Sequence, residues 1–261
     1  MRILLPPSEA KHRGGRGKPI TSRTPHPLDA PRGQILSALT ELIGTDAGAA
    51  ARALLLPASS AAQALDDNAR AGSGPTCPAM ERYAGVVYEG LSVTKLSKQA
   101  RRSANRSVII FSGLFGAVRG GDAIPLYRVP AKAVLPGLGV AGTYWRPRLQ
   151  QHLPALLDSG LVLDLRSSDY VAMWQPRPGE RTGRGLVRVR VLSKRPDGSH
   201  GVISYPSKLA KGRLAAAVLE AEAAGQAPHS ASEVADLWLA IGGRDAVMPA
   251  KSGGIGLDLL E

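Results

Sequence analysis

The 261-residue chain carries 33 Lys and Arg against 21 Asp and Glu, a formal net charge of +12 with a pI near 10.3. Its 44% hydrophobic content, with only 4% aromatic residues, is that of a globule packed from Ala, Leu and Val and excludes a disordered chain. A single cysteine, Cys77, excludes a disulfide framework, a thiolate zinc site and a redox pair, and no apolar run approaches the ~18 residues of a membrane span.

Residues 2–5 read as a first strand stopped by Pro6-Pro7, and 12–33 as a polar loop rich in Pro and Gly. Helical periodicity marks 34–43 and 59–69, residues 73–78 form a break, and 93–103 is a helix feeding an apolar strand at 108–111. A third helical stretch spans 143–157, and 161–165 is a buried strand. Residues 185–192 alternate Val187, Val189 and Val191 with Arg188 and Arg190, which predicts a half-exposed strand with a basic outer face. Strand-like 201–205 precedes amphipathic helices at 207–224 and 232–239. Strands alternating with helices, with no linker and no internal repeat, predict one α/β domain over 1–261 with a mixed central sheet flanked by helices.

The most informative stretch is Ser112-Gly-Leu-Phe-Gly-Ala-Val-Arg-Gly-Gly-Asp122, which follows the 108–111 strand and runs on to Tyr127 and Arg128. Two readings are open. Gly113, Gly116, Gly120 and Gly121 let backbone amides approach an anion at the strand's carboxyl end, or they serve a plain strand-turn connection. Neither a Walker loop nor a Rossmann glycine pattern is present.

Three basic clusters accompany it. In Lys11-His-Arg-Gly-Gly-Arg-Gly-Lys18 the glycines would let cations and amides wrap a phosphate, or leave a solvated loop. Lys95, Lys98, Arg102 and Arg106 fall along one helical stripe, either a solvated face or a nucleic-acid contact. Lys208, Lys211 and Arg213 open a predicted helix, where cations oppose the helix dipole and a bound anion would relieve the conflict. Leu135-Pro-Gly-Leu-Gly139 has the form of the hairpin in a helix-hairpin-helix motif, or of an ordinary glycine turn.

Catalytic signals are thinner. Ser8 and Lys11 have Ser-x-x-Lys spacing, and Lys11, Asp122 and Tyr127 are the candidates for acid-base chemistry. Asp169, beside Ser167 and Ser168, reads as a helix cap. The five histidines are scattered without ligand spacing, so neither a metal nor a cofactor is expected. The stretch before Pro6 is too short for a signal peptide, which makes a cytoplasmic protein without a membrane partner the expectation.

The chain also resembles the YaaA peroxide-stress family. The resemblance rests on the signature just quoted with its Ile124-Pro-Leu-Tyr-Arg128 close, on Pro6-Pro-Ser-Glu-Ala-Lys11, on Tyr83-Ala-Gly-Val-Val-Tyr-Glu-Gly-Leu91, on Leu163-Asp-Leu-Arg-Ser-Ser-Asp-Tyr170 and on Ser207-Lys-Leu-Ala-Lys-Gly-Arg213. The opening is two residues longer than the family's common Ser-Pro-Ala-Lys, which leaves the register of Lys11 open. The resemblance implies a single compact fold and a part in protection against peroxide.

Charge and resemblance together lead to a nucleic-acid-binding protein, for duplex DNA, with a basic cleft. The anion-binding residues expected are Ser8, Arg119, Arg128, Ser207, Lys208, Lys211, Arg213, Lys98 and Arg102. The alternative is an enzyme acting on a nucleotide or other phosphate-bearing small molecule in the same cleft. Oligomeric state is not legible.

Overall fold

A computed structural model of the protein describes residues 1–20, 26–157, 160–180, 182–194, 199–247 and 255–260. The first strand, β1 (Arg2–Leu5), is followed by α1 (Asp29–Ile43), α2 (Ala47–Ala53) and α3 (Ala61–Ala69). Next come β2 (Cys77–Pro78), α4 (Ala79–Arg82), α5 (Val86–Leu91) and α6 (Lys98–Ser107). Strands β3 (Val108–Ser112), β4 (Gly116–Arg119), β5 (Ala123–Ile124), β6 (Val134–Leu135) and β7 (Gly139–Val140) lead into α7 (Ala141–His152). The remainder is β8 (Leu161–Asp164), α8 (Ser168–Val171), β9 (Gly185–Lys194), β10 (His200–Gly201), α9 (Ser204–Ala223), α10 (Ala231–Ala240), β11 (Asp245–Val247) and β12 (Ile255–Leu260).

The central sheet has the order β11-β12-β9-β8-β1-β3-β4, with β10 pairing onto β9. Its five middle strands are parallel, while β4 and β11 are antiparallel edges. Helices cover the sheet, so its central strands β1, β3 and β8 carry apolar runs: all of β3 and all of β8 are buried, as are Ile3, Leu4 and Leu5. This is the expected α/β fold with a mixed sheet.

Boundaries differ from the sequence reading where tertiary contacts decide them. Helix α1 starts at Asp29, inside the predicted loop, because Arg32 is buried and donates from Nη2 to the Ala117 carbonyl at 2.8 Å and from Nε to Phe115 at 3.2 Å. Residues 21–25 of that loop lie outside the described residues. The predicted helix at 93–103 is split into a 3₁₀ turn at Val93–Lys95 and α6, whose Ser97 cap accepts from the Ala100 amide at 3.1 Å. Strand β9 alternates as expected, and its basic face is ion-paired: Arg190 Nε donates to Asp258 at 2.7 Å and Arg188 Nε approaches Asp164 at 3.4 Å.

The chain leaves β1 for β3 on one side and later returns to β8 on the other. The carboxyl end of β1 is therefore a topological switch point, the position at which open α/β sheets hold ligands.

Candidate functional site

Lys11 lies at that point. The segment after β1 crosses to the tyrosine block through paired backbone bonds, Ala84 N to Ala10 O at 3.0 Å and His12 N to Arg82 O at 2.8 Å. Gly85, at φ +94, lets the two strands of chain close up, since a β-carbon there would stand 2.7 Å from the Ser8 hydroxyl. Lys11 Nζ then donates to the Ser8 carbonyl at 2.7 Å and sits 4.4 Å above the Tyr127 ring centre and 5.2 Å from that of Tyr83. The amine meets the carbonyl of Ser8 and not its hydroxyl, so the Ser-x-x-Lys spacing forms no nucleophile pair.

Beneath the lysine runs a chain of hydroxyls. Ser112 Oγ accepts from the amides of Leu114 at 3.2 Å and Phe115 at 3.0 Å, which fills both of its lone pairs. Its own proton is left for Tyr127 Oη, 2.7 Å away, and Tyr127 in turn bonds the Tyr83 hydroxyl. The relay thus runs from Ser112 through Tyr127 to Tyr83. Among the described residues no further acceptor takes the Tyr83 proton. Burial pushes the Tyr127 phenol up to about 12 and the Tyr83 phenol well above its ordinary value, so both stay protonated at neutral pH.

Burial acts on Lys11 in the opposite sense. Desolvation, reinforced by the Arg128 charge and opposed by Glu9, lowers its ammonium from 10.5 to about 7. Arg128 pairs with Glu9 and donates to Ser60 Oγ at 3.0 Å, while its backbone exchanges two hydrogen bonds with the Asn68 side chain at 2.7 and 3.0 Å. Arg128, Glu9 and Ser60, with Arg13, Gln63 and Asp67, line a cleft of about 110 Å³ opening on Lys11.

Across β1, Asp164 and Arg166 form a fully buried bidentate pair at 2.8 Å, with Arg166 also donating to the Tyr170 and Trp174 carbonyls and lying 4.2 Å over the Phe111 ring. Burial alone would raise the Asp164 carboxyl, but the charge and hydrogen bonds of Arg166, with Arg188, hold it below its ordinary value. Lys211 reaches the Arg166 carbonyl at 3.3 Å, and its own burial lowers it to about 8.

Not all the sequence candidates come to this place. Lys11, Ser8, Tyr127 and Arg128 gather at the β1 end, and Lys211 adjoins the Asp164 pair. Arg119 and Asp122 do not: the register pairs Arg119 with Ile109 and Gly116 with Ser112, which puts them about 10 Å away toward the amino end of β3. There Asp122 accepts from the Arg119 amide at 2.9 Å and closes a turn. Lys98, Arg102 and Lys208 are exposed, Ser207 is buried within α9, and Arg213 donates to the Ile241 carbonyl at 2.7 Å. Because α9 begins at Ser204, Lys208 lies in its second turn and the presumed conflict with the dipole is weakened. Asp169 pairs with Lys132 at 2.9 Å.

The glycines of the signature also serve packing. A β-carbon on Gly113 would stand 2.3 Å from the Val129 carbonyl, one on Gly116 2.6 Å from Trp145, and one on Gly120 2.5 Å from the Ala104 carbonyl. Their neighbours are protein, which decides for the strand-turn reading. Likewise the 11–18 loop turns its carbonyls inward onto buried Arg82, which donates to His12 and to Gly14 at 2.9 Å. Residues 135–139 form the turn of the β6-β7 ribbon with no helix before it, and the Ala141 and Gly142 amides at the start of α7 are taken by Ala133 and Ala131 at 2.9 and 2.7 Å. The helix-hairpin-helix form is therefore incomplete. A larger hollow of about 820 Å³ beside that turn offers few converging charges, since Arg148 lies flat on Tyr144 at 3.6 Å.

The family described as peroxide stress protein YaaA matches residues 1–235. The chain belongs to the YaaA peroxide stress protein family. A UPF0246 protein of Streptomyces coelicolor is 39% identical over 256 residues, covering 97% of this chain and 95% of its own. One from Corynebacterium efficiens is 37% identical over 247 residues, covering 91% of each, and one from Corynebacterium glutamicum 33% over 256, covering 93% of each. Among the described residues of this chain no His, Cys, Asp and Glu cluster has metal-binding geometry, and no helix is long and apolar enough to cross a membrane.

Proposed function

We propose that this YaaA-family chain contributes to protection against peroxide damage in the cytoplasm by binding duplex DNA through the exposed face of α6. The observation that carries the reading is the state of its cations. Lys98, Arg101, Arg102 and Arg106 are all exposed, and among the described residues none has an acidic partner, whereas Arg13, Arg70, Arg128 and Arg190 all do. From Lys98 to Arg106 the helix rises about 12 Å, a span that reaches more than one backbone phosphate. Ala100, Ser103, Ala104 and Ser107 bury the opposite side, so the charged face is fixed outward. Sequence spacing alone omitted Arg101, which extends the stripe toward the tyrosine block by lining a cleft of about 510 Å³ with His12, Tyr83 and Tyr88.

Counterion release makes such binding steeply salt-dependent and nearly indifferent to base sequence. Duplex affinity measured across a salt series tests it, with Lys98→Ala/Arg102→Ala expected to weaken binding and to reduce the salt slope by about two. Absence of binding at low salt overturns the reading. The second reading, an enzyme acting on a phosphate-bearing small molecule, is favoured by one feature, the amine at the mouth of the Arg128 cleft.

A further inference from the structure

We infer that Lys11 is the nucleophile of a carbonyl-condensing site, which forms an imine with an aldehydic sugar that carries phosphate. The inference rests on the nucleic-acid reading only for one source of that sugar, an abasic position in a duplex; a free sugar phosphate presents the same chemistry.

Four observations converge on it. Lys11 is half-buried and lines a cleft, so its Nζ is both desolvated and reachable. An amine attacks a carbonyl only with its lone pair free, and a group held at about 7 is substantially unprotonated at neutral pH where an ordinary lysine is not. The carbonyl oxygen needs a proton as the C–N bond forms, and Tyr127, whose ring centre lies 4.4 Å from the amine and which lines the same cleft, carries a hydroxyl backed by that of Ser112 at 2.7 Å. Arg128 supplies the phosphate contact, its pairing with the largely exposed Glu9 being exchangeable for a phosphate oxygen. The cleft, at about 110 Å³, holds about four waters' volume, enough for the short arm that carries an aldehyde.

The step balances without another reactant. Nζ attacks the carbonyl carbon, the C–O π bond opens, and the Tyr127 hydroxyl protonates the oxygen while the new ammonium returns a proton to the Ser112–Tyr127 relay. The resulting carbinolamine loses its hydroxyl with a proton as water, leaving the imine on Lys11.

Reductive trapping tests this. The protein is incubated with cyanoborohydride and either a duplex containing one abasic site or free deoxyribose phosphate, and the adduct is mapped by peptide mass spectrometry. The expected result is a reduced adduct on Lys11 from at least one probe, lost in Lys11→Arg, which keeps a long basic side chain and removes the nucleophile. Tyr127→Phe should slow trapping about a hundredfold with unchanged affinity for an intact duplex. Trapping from the abasic duplex that falls in Lys98→Ala/Arg102→Ala identifies DNA as the source, and trapping from the free sugar alone identifies a metabolite. No adduct from either probe, or adducts confined to other lysines, overturns the inference. Intact-duplex binding measured on the same samples separates that failure from failure of the nucleic-acid reading.

Discussion

Gly90 and Gly212 meet where α5 crosses α9: a β-carbon on Gly90 would stand 3.1 Å from the Gly212 Cα and 2.2 Å from the Leu209 carbonyl oxygen, and one on Gly212 would stand 2.0 Å from the Val87 carbonyl. The two glycines let the helix backbones touch, and the tyrosine block is thereby docked on the helix that carries Lys211. Gly212→Ala should force the helices apart and destabilise the fold by about 2–3 kcal/mol. Gly33 in α1 is the control, exposed with nothing within 4 Å of its added carbon. Gly33→Ala should stabilise by about 0.5–1 kcal/mol through helix propensity. Urea unfolding of both variants reads the opposite signs, and equal effects would refute the close crossing.

The Asp164–Arg166 pair gives a second expectation. Asp164→Ala strands a buried guanidinium and should cost about 3–5 kcal/mol. The carboxyl is also held below its ordinary 3.8, so its contribution is complete above that pH and disappears as pH falls through the lower folded value. Wild-type stability should therefore decline below about pH 4 partly through this group. Urea midpoints from pH 5 to 2.5 check it, and an Asp164→Asn protein that retains the same acid slope would show that other carboxylates carry it.

The strands were legible because burial on both faces writes itself as unbroken apolar residues, as in 108–111 and 161–163. The site was legible in its parts. Lys11, Tyr127 and Arg128 stand in motifs and meet in space, yet nothing local indicates that Ser112 would give its proton to Tyr127, 15 residues on, or that Asn68 would hold the Arg128 backbone across 60 residues. Glycine was the misleading signal. Gly113 and Gly116 suggest an open loop by composition, whereas Val129 and Trp145 fill the space beside them. The same limit applies to Arg119 and Asp122, whose place at the far end of β3 follows from the antiparallel return of β4 and not from their nearness in sequence to Ser112.

Arg82 offers a third test. Its guanidinium is fully buried without an ion pair among the described residues, and it satisfies the carbonyls of His12, Gly14, Pro75 and Ile124. Arg82→Met fills the same space but leaves those acceptors without their donor, each buried one costing about 1–3 kcal/mol. Because the segment so held includes His12 beside Lys11, the variant should lose the low titration of Lys11 along with stability. Amine-labelling rates at Lys11 in a folded fraction of Arg82→Met report this, and an unchanged profile would mean that the loop holds its shape without the arginine.

Lys11 itself should be visible in the pH dependence of stability. Its folded value of about 7 lies below the ordinary 10.5, so between these limits the unfolded chain binds the extra proton and stability rises with pH. Below 7 both states are protonated and the penalty of burying the cation is present in full; above 10.5 it is absent. Lys11→Met, similar in length and uncharged, should be more stable than the parent at pH 6 and should flatten the rise between pH 7 and 10.5. Urea midpoints across that range give the comparison. A parent and variant with parallel profiles would show that Lys11 titrates as an ordinary surface lysine, and the amine would then be charged at neutral pH and without nucleophilic character.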